Sequence, residues 1–247
     1  MLTIRRFQKG DEEILSIMIR RTLREVNYTS PKSELDYLIP HYSPETMVEL
    51  SETGHTYVLE EDGQIIGSGT ILDTSRLQST LAKRFCISPK NVHAHVYGEH
   101  GDSSFIPWSL ANISNVPVDE YRASLAKIED AGAIDVACPV LDHAAVEDYV
   151  RKSGARVIQR KGATFYAVSI AVCHICRAIL SGIDTTMTVS SLLDGDYGIS
   201  GVCLSLINII GKAGVHGKVL PQLTETEAAQ LQKSAEALKG VISNIKI

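Results

Sequence analysis

The sequence predicts an α+β protein in two parts, residues 1–66 and 67–247, and three observations carry that prediction. Apolar residues recur at helical spacing through Val146, Tyr149, Val150 and Val157 to about Lys161, and a second helical run extends to Leu180. Two extended runs, "TTMTVSSLLDGDYG" and "GVCLSLINIIG", follow and meet around Asp194-Gly195, a dipeptide that marks a turn. Ahead of these stands a separate strand, helix and hairpin order that closes near Ile66.

In the first part, "LTIRRF" reads as a short strand. Asp11, after Gly10, can cap a helix whose apolar positions Ile14, Ile17 and Met18 recur at helical spacing to about Val26. Pro31, Pro40 and Pro44 then punctuate a loop with short helical pieces. "HTYVLEEDGQIIGSGTI" reads as two strands around Asp62-Gly63, because glycine tolerates the positive φ of a tight hairpin turn.

The second part begins inside "IIGSGTILDTSRL", Ile65 to Leu77. A helix is predicted from Thr74 to Phe85, then an apolar strand from His93 to Tyr97 that enters a Gly-Glu-His-Gly-Asp turn. Long helices and the antiparallel sheet follow. Thr224 with Glu227 makes a capping box for a closing helix.

Composition narrows the class. With 247 residues, 44% hydrophobic and 21% charged, the chain is in the range of ordinary soluble globular proteins. A formal net charge of −5 argues against a nucleic-acid surface, so Arg5, Arg6, Arg20, Arg21 and Arg24 read as a solvated face. Met1 to Phe7 lacks the apolar core of a signal peptide. The longest apolar run, Ala167 to Leu180, is interrupted by His174 and Arg177 and is too short to span a bilayer. A cytoplasmic protein without membrane contact is expected. The five cysteines fit reduced, buried thiols better than a disulfide framework. Cys173 and Cys176 form a CxxC, yet it falls inside an apolar helix with no second ligand pair, so buried helix thiols are expected in place of a metal site.

One group of residues carries chemistry. Acid–base chemistry on an anionic substrate needs a proton donor and a cation to hold the charge. A histidine suits the first task because it titrates near neutrality, and His100, where a strand end meets a loop, is placed to be exposed. A carboxylate that accepts its other ring N–H would fix the tautomer and stabilise the imidazolium. Asp73, just before the predicted helix, can take that role. Arg76, three residues on, can emerge from the same side of the first turn and grip a carboxylate with its planar fork. Singly, each residue has a plainer reading: Asp73 as an N-cap, Arg76 as a solvent-facing helix residue, His100 as a loop histidine. Glu99, His100 and Asp102 do not make a metal site, because neighbours in an extended segment point apart.

The words "GSGTILDTSRL", "NVHAHVYGEHGDSSFIPWS", "KGATFYAVSIAV" and "LLDGDYGISGVCLSLINIIGKAGVHGKVLPQLTETE" together resemble the L-lactate dehydrogenase family, over about Gly67 to Ile247. The resemblance implies the lactate/malate dehydrogenase C-terminal-like fold, long helices on a twisted antiparallel sheet. It implies interconversion of a small 2-oxo and 2-hydroxy acid with NAD, and "KGATFYA" favours the lactate branch over malate. His100 would be the acid/base, Asp73 its orienting partner and Arg76 the carboxylate clamp. Thr164 would line the substrate side-chain pocket, Ser68 would touch the nicotinamide carboxamide and Val168 would pack on its ring. His93 matches a histidine that binds fructose 1,6-bisphosphate beside an arginine; Gln78 stands where that arginine would be, so activation by the sugar bisphosphate is not expected. A homo-oligomer, or mixed assembly with an intact dehydrogenase, is implied too.

"IRRFQKGDEE" and "EEDGQIIGSG" resemble the opening of the GNAT acetyltransferase family over about the first seventy residues. That family's pyrophosphate-binding glycine loop is not found downstream, so acetyl transfer by this part alone is not expected. Nor does a GxGxxG follow a strand before Gly67, and "GSGTIL" puts leucine where the third glycine would stand. The expectation is therefore a dehydrogenase catalytic part joined at "IIGSGT" to an acetyltransferase-like start, the alternatives being an N-acetyltransferase that uses acetyl-CoA or a non-catalytic, oligomer-forming remnant. The oxidoreductase activity of the dehydrogenase part would be impaired for want of a cofactor domain and its closing loop.

Overall fold

Extended segments near the N-terminus pair as β1 (Leu2–Arg6) against β2 (Tyr57–Glu61), and β2 turns back onto β3 (Gln64–Ile65), giving an antiparallel sheet in the order β1-β2-β3. The computed structural model describes residues 2–17, 43–53, 57–61, 64–65, 68–125, 140–162, 164 and 166–243. The chain divides into two compact units, Met1–Ile66 and Gly67–Ile247. In the first, Glu61 lies opposite Gln64, which leaves the two-residue connection that an Asp-Gly turn favours; Asp62 and Gly63 themselves lie outside the described residues. Residues 11–17 are helical, and Gln8 donates its N–H to Asp11 Oδ2 at 2.7 Å. Ile14 and Ile17 are exposed. Pro44 opens a ten-residue helix, α1 (Pro44–Thr53), in place of the expected loop with short pieces. Its missing N–H costs nothing at that position, and Ser43 Oγ accepts the Thr46 N–H at 3.3 Å. Residues 18 to 26, with Arg20, Arg21 and Arg24, and Pro31 and Pro40 lie outside the described residues, as do the side chains of Arg5 and Arg6.

The second unit starts with α2 (Ile71–Arg84), three residues earlier than the sequence predicts. Thr70 is its N-cap, but the hydroxyl does not cap: it donates to Val96 O at 2.5 Å. Three further bonds fasten the same end of the helix. Thr70 N–H donates to Ser205 Oγ at 3.1 Å, Thr74 Oγ1 shares a 2.8 Å bond with Thr188 Oγ1, and Thr74 Oγ1 accepts the Val96 N–H at 3.0 Å. Tertiary partners thus satisfy groups that a local cap would otherwise serve.

The strand expected from His93 to Tyr97 is a two-residue strand, β4 (Val92–His93), followed by extended chain with an isolated bridge from Tyr97 to Phe105. β4 pairs with β5 (Asn112–Ile113), which pairs with β6 (Val116–Pro117). Alternation still governs this stretch. Val92, Ala94 and Val96 are buried with Leu77, Leu81, Phe85, Ile113 and Val146 in one core, while Tyr97 enters a second core with Phe105, Leu204, Leu206 and Leu231. The chain passes from one core to the other just before His100.

The helical stretch up to Lys161 is two helices, α3 (His143–Arg151) and α4 (Ser153–Lys161), interrupted at Lys152. Val146 and Val150 are buried as the spacing requires, whereas Tyr149, on the same helix, and Val157, beyond the break, are 50% and 38% exposed. α5 (Tyr166–Ser181) buries Ala171, Ile175, Ala178 and Ile179 at positions i, i+4, i+7 and i+8. Cys173 lies roughly 200° round from Ala171, off the buried face; the expectation of buried thiols is overturned for the four described cysteines, since Cys86, Cys173 and Cys203 are exposed, Cys176 is half-buried and all four are free, while Cys138 lies outside the described residues. Among the described residues no helix is long and apolar enough to cross a membrane.

β7 (Thr185–Asp196), β8 (Ile199–Gly211) and β9 (Gly214–Val219) form the main antiparallel sheet, in that order. The β7–β8 turn is not at Asp194-Gly195 but at Tyr197-Gly198, both with positive φ (52° and 74°), the pattern of a tight hairpin turn. Asp194 pairs with Ser200 and Asp196 with Ile199, so Gly195 is the extra residue of a bulge. The third strand, β9, has no counterpart among the expected elements. α6 (Glu225–Ser243) starts with the expected capping box: Glu227 N–H donates to Thr224 Oγ1 at 3.3 Å and Thr224 N–H to Glu227 Oε2 at 2.9 Å.

Candidate active site

Asp73 belongs to the first turn of α2 and is not its N-cap, so its carboxylate is left for other partners although the residue is only 5% exposed. Oδ1 accepts Arg76 Nη1–H at 2.9 Å, the i,i+3 contact that helix geometry permits. Oδ2 lies 2.5 Å from His100 Nδ1. One buried carboxylate therefore joins the arginine and the histidine. The sequence anticipates the His100 contact and reserves Arg76 for a ligand; the structure adds that Arg76 is itself oriented by Asp73.

His100 follows a bridge between Gly98 and Ser205 that ties its turn to the middle of β8. Glu99 N–H donates to Ser234 Oγ of α6 at 2.9 Å, and Glu99 Oε1 accepts from Ser103 N–H at 3.1 Å and Ser103 Oγ–H at 2.6 Å. The turn is thus held from below while the His100 side chain remains 60% exposed. That combination leaves the ring anchored at Nδ1 and open to a ligand.

Electrostatics distinguish two nearby histidines. The hydrogen bond that the ring donates to Asp73 raises the His100 pKa above 6.5; loss of hydration opposes it, the Asp73 and Glu99 charges assist, and Arg76 opposes. His95 goes the other way, to about 4, through burial and the charge of His93. Only His100 of this pair is available as a proton donor around neutrality.

The other expected positions are more scattered. Ser68 is half-buried and directly precedes Gly69, whose φ is +57° and whose hydrogen faces Ser190 and Ser205 at close range. Thr164 is half-buried two residues ahead of α5, and Val168 is exposed on its first turn. No hydrogen bond or ion pair among the described residues joins Ser68, Thr164 or Val168 to the Asp73, Arg76 and His100 group. His93 is exposed at the end of β4, and Gln78 Nε2–H is committed to Ala94 O at 3.2 Å. Among the described residues no group of three or more His, Cys, Asp or Glu is placed to hold a metal ion.

Ser205 and Ser234 escape a sequence reading. They fasten Thr70 and Glu99 from 135 residues away, a separation that leaves no local pattern to read. Arg76 also lines a groove of about 790 Å³ between α2 and the α3–α4 pair.

Residues 70–246 match the family of the lactate/malate dehydrogenase, alpha/beta C-terminal domain. An L-lactate dehydrogenase of Clostridium botulinum is 43% identical over 183 residues, which is 73% of this chain and 54% of the relative. An L-lactate dehydrogenase of a Thermoanaerobacter species is 37% identical over 185 residues, 75% of this chain and 57% of that one. Among solved structures, the L-lactate dehydrogenase of Clostridium thermocellum superposes with a TM-score of 0.64 at 32% identity, covering 76% of this chain and 58% of that one. A lactate dehydrogenase from a deep-sea metagenome library gives 0.63 at 34% identity, covering 71% and 53%. The chain spans about half the length of the curated relatives it matches. Its first 69 residues lie outside the family match.

Proposed function

The chain belongs to the lactate/malate dehydrogenase family through its alpha/beta C-terminal domain, and on that premise we propose that it supplies the proton-transfer and carboxylate-binding half of an L-lactate dehydrogenase. The observation that carries this reading is the Asp73 carboxylate bonded at once to His100 and Arg76. Protonated His100 donates to the carbonyl oxygen of pyruvate, and Asp73 holds its tautomer and balances the imidazolium; in the reverse direction the neutral ring accepts the proton of lactate. Arg76, with one Nη1–H on Asp73, has the rest of its fork for the substrate carboxylate. Thr164 borders the substrate side chain in this reading, and Ser68 and Val168 meet the nicotinamide.

NAD is the cofactor this function implies, and the described residues do not fit it as a whole. No parallel βαβ unit with a glycine-rich turn exists among them to take the pyrophosphate, and β1 to β3 are antiparallel. General acid–base help alone is worth roughly 10²- to 10⁴-fold, far short of a complete dehydrogenase. The purified chain is therefore expected to oxidise NADH with pyruvate far more slowly than a complete enzyme. Pyruvate itself should still shift the His100 ring resonance saturably, and Arg76→Ala should abolish the shift. Turnover comparable to a complete enzyme would overturn the first expectation, and no pyruvate response at His100 the second. A homo-oligomer, or mixed assembly with an intact dehydrogenase, and a cytoplasmic setting go with this reading.

For residues 1–66 the strand, helix and antiparallel hairpin order favours a second reading, an acetyltransferase-like segment. It predicts a rise in melting temperature with acetyl-CoA and none with NADH. The opposite pattern would remove it.

A further inference from the structure

We propose that the groove between α2 and the α3–α4 pair is a binding site for a small polyanion carrying at least two phosphate groups. At about 790 Å³ it falls in the size range of small-molecule pockets, roughly 300–1,000 Å³. Arg76, Lys83 and Arg84 face it from α2, and Arg156 and Arg160 from α4; no aspartate or glutamate lines it. In a chain of net charge −5, five cations converge on one concavity.

The state of each cation decides what the groove lacks. Arg76 is held by Asp73. Arg156 donates to Tyr149 O and to Ser153 Oγ and lies 4.0 Å over the Tyr149 ring, contacts that fix the guanidinium without neutralising it. Lys83, Arg84 and Arg160 have no ion pair among the described residues. Of the acids of α3, Glu147 is engaged with Trp108 and Arg151, and Asp148 pairs with Lys152 while its charge also reaches Arg156. Converging like charges repel one another, and a concave wall focuses their field, so an anion is attracted there more strongly than to an open basic face.

Two features select phosphate. Arginine forks match an oxyanion with several acceptor oxygens, whereas the Ser75, Thr80 and Ser153 hydroxyls give their protons to Ile71 O, Arg76 O and Tyr149 O. From Arg76 to Arg84 the wall runs eight residues, about 12 Å of helix at the usual rise, longer than one phosphate can bridge. The site is not the sugar-bisphosphate position of the resemblance, since neither Gln78 nor His93 lines it. Arg76 belongs both to this groove and to the Asp73–His100 group, but Arg84 and Arg160 make no contact with Asp73 or His100 among the described residues, so variants at those two positions report on the groove alone.

Calorimetric titration of the purified full-length chain with sodium tripolyphosphate tests the proposal. One saturable site is expected, weakened at least tenfold in the Arg84→Ala/Arg160→Ala double variant and largely kept when both are changed to lysine. Lys83→Glu should weaken it too, a single change at an exposed position that guards against misfolding of the double variant. No saturable binding, equal binding by the alanine variants, or tighter binding of a hexaglutamate peptide than of tripolyphosphate would each overturn the proposal, the last in favour of an acidic protein segment. The pyruvate response of His100 in the same variants is read separately, so failure here leaves the dehydrogenase reading standing, and the reverse.

Discussion

Replacing Asp73 by asparagine is expected to drop the pKa of His100 from above 6.5 to below it. The Asp73 hydrogen bond is the largest influence on His100 and the Asp73 charge adds to it; without them, loss of hydration and the Arg76 charge outweigh the small help of Glu99. Ring-proton NMR titration reads the change directly. The same substitution leaves Arg76, 17% exposed, without its counter-charge, at a cost of about 2–3 kcal/mol. The His100 part of the effect depends on pH. Because its folded pKa is raised, the His100–Asp73 pair contributes its full stability below the unfolded value of 6.5 and loses it as pH rises through the folded pKa. The variant should therefore be more strongly destabilised relative to the parent at pH 6 than at pH 9. An unchanged His100 titration would refute the orienting role of Asp73.

Gly69→Ala is expected to cost about 3–5 kcal/mol in denaturant unfolding. A Cβ there would sit 2.5 Å from Ser190 N and from Ser205 Oγ and 2.8 Å from Val189 C, and two of those atoms are backbone that cannot swing away. The backbone itself is left-handed, φ +57°, which adds about 1 kcal/mol for alanine. Gly195 supplies the control. Its φ is +92° and nothing lies within 4 Å of where a methyl would sit, so Gly195→Ala should lose only the conformational part, about 1 kcal/mol. Equal losses at the two positions would show that close approach to the sheet is not what Gly69 provides. The effect reaches the site as well: displacing Gly69 breaks the 3.1 Å bond from Thr70 to Ser205 and moves the first turn of α2, with Asp73 in it.

Elements with a local signal are legible in the sequence. The Asp62-Gly63 hairpin strands, the apolar face of α5 and the Thr224–Glu227 capping box each depend on residues a few positions apart, and each is present as strands, helix or cap. Sequence and structure part where two local signals compete or a distant partner intervenes. Both Asp194-Gly195 and Tyr197-Gly198 can reverse a chain. The β7–β8 register selects the second and leaves the first as a bulge. The start of α2 moves to Ile71 because Thr70 and Thr74 find partners on Val96, Thr188 and Ser205. That shift also removes the plainer reading of Asp73 as a cap.

By itself the sequence determined the family words, the residue types able to move a proton and hold a carboxylate, and the helical spacing that puts Asp73 and Arg76 on one side of a turn, because each is a matter of identity or of a few residues of backbone. Only the tertiary structure decided that one buried carboxylate serves both Arg76 and His100, that Ser205 and Ser234 secure the two segments bearing them, and that five cations share a groove. Those contacts join positions up to 135 residues apart. No periodicity encodes them; they exist once two cores have packed and set the helices and the sheet at fixed distances.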